Sequence, residues 1–136
     1  MLNFEAFAVA VAACSGEELP EGTVSRIAAR IVLDELRPNR AVTICLPLLL
    51  AGGEQDRAFV RDFPTVVIDG CEKRCAEKSI LNCGRKPAAS ILVTEVQAKY
   101  SDLKAESRVE LGPKGLELAR KIAEIVAKEI DKIMGE

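Results

Sequence analysis

Apolar runs and amphipathic stretches alternate along this chain. Residues 7–13, FAVAVAA, are apolar throughout and stop at Cys14-Ser15-Gly16. A short run with so sharp a polar end reads as a buried strand. A loop with Pro20 and Gly22 follows. Residues 23–37 then place Val24, Ile27, Ala28, Ile31 and Val32 on one helical face, with Thr23 as the cap and Pro38 as the stop. Residues 41–44 form a second short strand that ends at Cys45. The LPLLLAGG after it reads as a buried turn or short helix, because Pro47 and Gly52-Gly53 break it. A short helix over 54–63 leads to the β-branched strand 65–68, which runs straight into Asp69-Gly70-Cys71. A helix over 72–82 with Gly84 as its C-terminal cap, a fourth strand over 90–94 and a short edge strand over 107–111 come next. The last helix starts near Pro113. It turns Leu116, Ala119, Ala123, Val126, Ile130 and Ile133 to one side and is rich in Lys and Glu on the other.

Strands alternating with helices predict a mostly parallel sheet with right-handed crossovers. The near-continuous apolar early strands predict that both sheet faces are covered. The expected fold is therefore α/β: a single-domain, three-layer Rossmann-like sheet over residues 1–136, with strand order beginning 2-1-3 and a long C-terminal helix. No repeat or low-complexity linker interrupts it. The length of 136 residues suits one domain, which at this size buries roughly two-thirds of its unfolded surface without disulfide staples.

Charge removes one class of partner. The 19 basic and 21 acidic residues give a net charge of −2, which speaks against nucleic-acid binding, since that rests on clustered positive charge. The opening MLNFEAFAVAVAACSG looks like an export signal, but its start is not basic and Glu5 interrupts it. Its apolar segment is also shorter than the about 20 residues that span a bilayer. The expected setting is cytoplasmic, with no membrane contact and with reduced thiols.

The chemistry lies in the thiols. There are five cysteines and no histidine. An odd thiol count in a reducing setting favours metal binding or thiol chemistry over a disulfide framework. Cys14, Cys45 and Cys71 each follow a predicted strand. In open parallel sheets, ligands bind beyond the carboxyl ends of the strands, near the point where strand order reverses. Adjacent strands lie about 4.8 Å apart, so with order 2-1-3 these three thiols project from one edge and can converge on one ion. Cys75 falls in the first turn of the following helix, where the positive end of the helix dipole favours an anionic ligand. Four thiolates suit tetrahedral zinc, and an iron–sulfur cluster takes the same ligand set. The residues leave both open, together with free thiols in a sulfur-transfer or redox enzyme. Lys73 and Arg74 would offset part of the thiolate charge. Cys83, roughly 12 Å further along the helix axis, reads as a small buried apolar residue. Asp69 is the carboxylate nearest the site, as a hydrogen-bond acceptor behind the thiols, an acid/base group or a turn former.

Other thiol chemistries fail on spacing. A cysteine-phosphatase loop needs an arginine six residues after its cysteine, but those positions hold Pro20, Ala51, Glu77, Leu81 and Ala89. A C-x3-C-x2-C cluster motif would need cysteine at Lys78, and no C-x-x-C is present. Without histidine, a Ser-His-Asp or Cys-His arrangement is impossible in this chain.

Asp69-Gly70-Cys71 after a β-branched strand, Cys75 four positions on, the early Cys14-Ser15-Gly16 and the lone Cys45 together resemble the DGC family, named for the central tripeptide. The likeness covers roughly residues 7–94. It implies a zinc-binding domain with four chelating cysteines and no assigned cellular role. Carried onto this chain, the ligands are Cys14, Cys45, Cys71 and Cys75, with Cys83 outside the pattern. The resulting expectation is a zinc-binding protein acting as carrier, sensor or structural element. The metal ion is its expected ligand, and the chain names no protein partner.

Overall fold

The computed structural model describes residues 8–135. Among them, β1 (Val9–Ala13), β2 (Ala41–Thr43), β3 (Thr65–Asp69) and β4 (Ala89–Leu92) form one all-parallel sheet in the order β2-β1-β3-β4. The expected 2-1-3 order is present, and β4 extends it. Val9 pairs with Ala41, and Ala10 pairs with Thr65, so β1 and β3 run up the middle. Helices α1 (Pro20–Ile31), α2 (Leu46–Leu50), α3 (Glu54–Asp62), α4 (Cys75–Asn82), α5 (Val93–Lys99) and α6 (Gly112–Ile133) complete the α/β arrangement.

Strand alternation divides the core between two faces. Val9, Val11, Val66 and Ile68 join Val24, Ala28, Leu118, Ile122 and Val126 in one cluster, beneath α1 and α6. Ala10, Ala12 and Val67 join Leu49, Val60, Ala76 and Ile80 in the other, beneath α2, α3 and α4. Successive side chains point to opposite faces of a strand, so one strand feeds both clusters. The larger strand side chains meet the two long helices. Ala10, Ala12 and Val67 meet three short ones. Among the described residues, no helix is long and apolar enough to cross a membrane.

Several boundaries differ from expectation, each for a local reason. β1 begins at Val9, and Phe7 lies outside the described residues. α1 starts at Pro20, where a fixed φ and a missing N–H suit a first helical position. Thr23 is therefore not the cap. Its hydroxyl instead donates to the Arg108 carbonyl (2.6 Å) and ties a distant loop to α1. The same helix ends in a π turn, Val32–Leu36, before Pro38. α4 starts at Cys75 rather than Glu72, because Arg74 sits in the left-handed region at φ 52° and breaks the helical path. The fourth strand stops at Leu92 and the chain turns at once into α5, which buries Val93 and Val96.

Residues 107–111 form no edge strand. Ser107 N–H donates to the Glu110 carbonyl (2.9 Å), and the Ser107 hydroxyl accepts the N–H groups of Val109 (3.2 Å) and Glu110 (2.9 Å). A serine that satisfies its neighbours locally competes with a strand ladder, and here it closes a tight turn. On α6 the buried stripe includes Leu118, Ala119, Ile122, Ala123, Val126 and Ile130, whereas Leu116 is 49% exposed.

Candidate functional site

Three backbone segments meet beyond the carboxyl ends of β1 and β3: the Cys14-Ser15-Gly16 loop, the first turn of α1 and the Asp69-Gly70-Cys71 loop. They meet this closely because glycine stands at each contact. A Cβ on Gly16 (φ +74°) would lie 2.6 Å from the Gly22 carbonyl. A Cβ on Gly70 would lie 2.7 Å from the Gly22 nitrogen and 2.8 Å from the Glu21 carbonyl carbon. These obstacles are backbone, which cannot rotate aside as a side chain can. The middle letter of the tripeptide is thus set by contact with α1.

The meeting leaves a cavity of about 140 Å³. Cys14, Cys71 and Cys75 line it, together with Glu17, Glu18 and Lys73. Cys14 is held on two sides. Gly70 N–H donates to its sulfur (3.4 Å), and the sulfur lies 3.1 Å from the Ser25 hydroxyl oxygen. The single Ser25 proton is already given to the Gly22 carbonyl (2.6 Å), so in this arrangement the Cys14 S–H donates to Ser25. Ser25 is fully buried on α1. Sequence reasoning passed over it, although a serine on the buried face of an amphipathic helix is itself a signal that its hydroxyl has a partner.

Asp69 stands at 1% exposure behind the cavity. One carboxylate oxygen accepts the Ala76 N–H (2.7 Å) and the other accepts the Glu77 N–H (3.1 Å). Those donors belong to the first turn of α4, which carries Cys75 at its first position. Asp69 therefore caps the helix from six residues upstream and fixes where Cys75 begins. Burial pushes its carboxyl above the ordinary carboxylate range. The two backbone N–H groups pull it back down, Glu77 raises it and Arg74 lowers it.

Between Cys71 and Cys75 the chain makes a tight turn, closed by Arg74 N–H on the Cys71 carbonyl (3.1 Å). Arg74 holds a left-handed conformation at φ 52°. For a non-glycine residue that conformation costs on the order of 1 kcal/mol. Its guanidinium lies 3.4 Å from Glu77, whose carboxylate also accepts the Ser90 hydroxyl (2.8 Å). The strained turn brings Cys71 and Cys75 to one wall.

Cys45 is placed differently. It follows β2, caps α2 with its backbone and is exposed. Its N–H donates to Asp56 on α3 (3.1 Å), and it is not among the residues lining the cavity. Even so, α2 packs against α4, so Cys45 occupies the same edge of the sheet. Cys83 lies at the far end of α4, partly buried against the second core cluster. In their present rotamers, no three Cys, Asp or Glu side chains among the described residues form a metal-ligand group. A thiol moves by rotation about one bond, so three sulfurs on one small cavity remain a suitable donor set for a soft divalent ion. Lys73 supplies positive charge at the rim. The fourth thiol of the expected set, Cys45, does not line the cavity.

No curated protein and no solved structure matches the chain. A family model described as the DGC domain matches residues 10–126, from the first strand through most of α6. That span takes in the glycine contact, the capped α4 and all five cysteines, and the chain belongs to the DGC domain family.

Proposed function

We propose that this chain is a thiolate zinc-binding protein that takes up and releases its ion. Cys14, Cys71 and Cys75 form the permanent side of the site, and Cys45 closes it as a mobile fourth ligand. The observation that carries this reading is the shared cavity: Cys14 and, from a segment more than fifty residues away, Cys71 and Cys75 line one space of about 140 Å³. Zinc takes thiolates at about 2.3 Å, closes its structural sites with four ligands and keeps one position open in catalytic ones. Three thiols line the cavity, half-buried at Cys14 and Cys71 and exposed at Cys75, while Cys45 lies off it, which fits a site whose fourth position can open. A purely structural clamp is less well supported, because two hydrophobic clusters already fill both faces of the sheet.

The chain's own groups prepare the site. Gly70 N–H holds the Cys14 sulfur, and the Asp69 cap holds α4 so that Cys75 faces the cavity. Ser25 can turn its proton from the Gly22 carbonyl to a deprotonated Cys14. A bound ion would supply the charge that keeps three thiolates together.

The test is elemental analysis of protein purified without oxygen. The expected result is one equivalent of zinc and a colourless solution, lost in Cys71→Ser and kept in Cys83→Ser. Iron with acid-labile sulfide would replace this reading with a cluster protein. A metal-free chain with one rapidly alkylated cysteine would replace it with sulfur-transfer or redox chemistry.

A further inference from the structure

A second cavity opens on the other side of the Glu21–Gly22 peptide, at the carboxyl end of β4. Its volume is about 420 Å³, and its wall carries Glu21, Thr94, Gln97, Ser101 and Lys104. Small-molecule pockets run from roughly 300 to 1,000 Å³. The remaining wall is alanine, with no aromatic side chain to stack a base or ring. The charged members are of opposite sign, yet among the described residues Glu21 and Lys104 make no ion pair with each other or with any other group. The side chains of Thr94, Gln97 and Ser101 likewise have no hydrogen-bond partner among those residues. Glu21, Thr94 and Gln97 are half-buried and Ser101 and Lys104 exposed, so five polar groups face one open space where water, not protein, is their partner.

We propose that this cavity binds a small zwitterion, of the size of an amino acid or dipeptide. Glu21 receives the ammonium group, Lys104 the carboxylate, and Gln97, Thr94 and Ser101 the polar backbone between them. A lone anion or a lone cation would leave one wall charge unanswered, which makes binding depend on both charges being present in one molecule. The position also matters. Gly70 lies directly against Glu21 and Gly22, so the ligand sits one peptide away from the Asp69-Gly70-Cys71 loop. α1, α5 and the loop after α5 supply the wall, none of which carries a cysteine. The inference therefore stands whether or not the thiols hold zinc.

The experiment is titration of the isotope-labelled chain with glycylglycine, acetate and ethylamine, read by amide chemical shifts. Glycylglycine should shift the amides of Glu21, Gln97 and Lys104 saturably, with at least tenfold tighter binding than either singly charged probe. Glu21→Gln and Lys104→Gln should each weaken glycylglycine at least tenfold while leaving the metal content unchanged. Equal binding of acetate and glycylglycine, indifference to either substitution, or no saturable shift would each overturn the proposal. A wild-type chain that binds glycylglycine but carries no metal would instead count against the zinc reading alone.

Discussion

Two stretches of the same sheet edge carry thiols, and they are built in opposite ways. After β1 and β3, backbone is pressed on backbone at Gly16, Gly22 and Gly70. A buried carboxylate caps α4, and a buried hydroxyl and an amide hold the Cys14 sulfur. After β2, Cys45 is exposed at the start of a five-residue helix whose Leu48 and Leu50 are about half exposed. Its N–H donates to Asp56, and its carbonyl accepts the Leu49 N–H (2.9 Å). The first region has its geometry fixed by backbone contacts that cannot relax, whereas the second is held by two hydrogen bonds at Cys45 and by the burial of Leu46 and Leu49. A site that must close around an ion and open again needs one part of each kind.

The contrast breaks most completely at Gly70. A Cβ there meets α1 backbone at 2.7 Å, and overpacking of this sort costs about 1–3 kcal/mol. Gly70→Ala should lower stability by that amount in urea titrations and also abolish stoichiometric metal uptake, because α1 and the Cys71 loop must separate. A fully stable Ala variant with normal uptake would mean that the fixed side is not fixed.

Much of that fixed side was readable in the chain, and particular residues show why. Cys14 and Cys71 follow apolar runs long enough to declare their strands, so both strand ends and the 2-1-3 order could be placed. Asp69 could be placed beside the site. That it caps α4 depends on the Arg74 turn, which no periodicity encodes. Ser25 and Thr23 find partners 11 and 85 residues away, and one-dimensional pattern carries no such pairing. α5 was missed because only Val93 and Val96 mark its buried face and its first residue is β-branched. Cys45 does follow β2, but a three-residue strand could not reveal that it lies off the cavity lined by the other three thiols.

Asp69→Asn tests the cap itself. The amide sets an N–H2 against one of two N–H donors, which should cost about 1–2 kcal/mol. The sign of the pH dependence is fixed by burial. Asp69 has a raised pKa in the folded chain, so it binds more protons folded than unfolded just above the ordinary carboxylate range. Its contribution is full below that range and declines as pH rises through it. In metal-free protein, the stability gap between wild type and Asp69→Asn should therefore narrow as pH rises from about 4. A gap that widens would show that the two N–H bonds outweigh burial.

Cys45→Ser measures what the loose side contributes. Loss of a ligand on the fixed side should remove binding altogether. Loss of an exchangeable fourth ligand should weaken zinc by about tenfold, near 1.4 kcal/mol, with faster release to a competing chelator. If Cys45→Ser behaves like Cys71→Ser, both stretches of the edge are equally committed and the distinction fails.

The smallest effect concerns the tether. If a shift at the start of α2 carries the Cys45 sulfur to the cavity, the bond from Cys45 N–H to Asp56 (3.1 Å) lengthens or breaks. Such a bond is worth a net ~1 kcal/mol. Removing it beforehand in Asp56→Ala takes that cost out of metal binding. Zinc affinity should then rise, by up to about fivefold, while α2 loses no more stability than the bond supplied. The direction is what makes this informative. Deleting a carboxylate near a cation site ordinarily weakens binding, so an increase can come only from freeing a ligand that has to travel. No change in Asp56→Ala, alongside no change in Cys45→Ser, would place the fourth ligand elsewhere and leave the three thiols on the cavity as the whole of the protein's share.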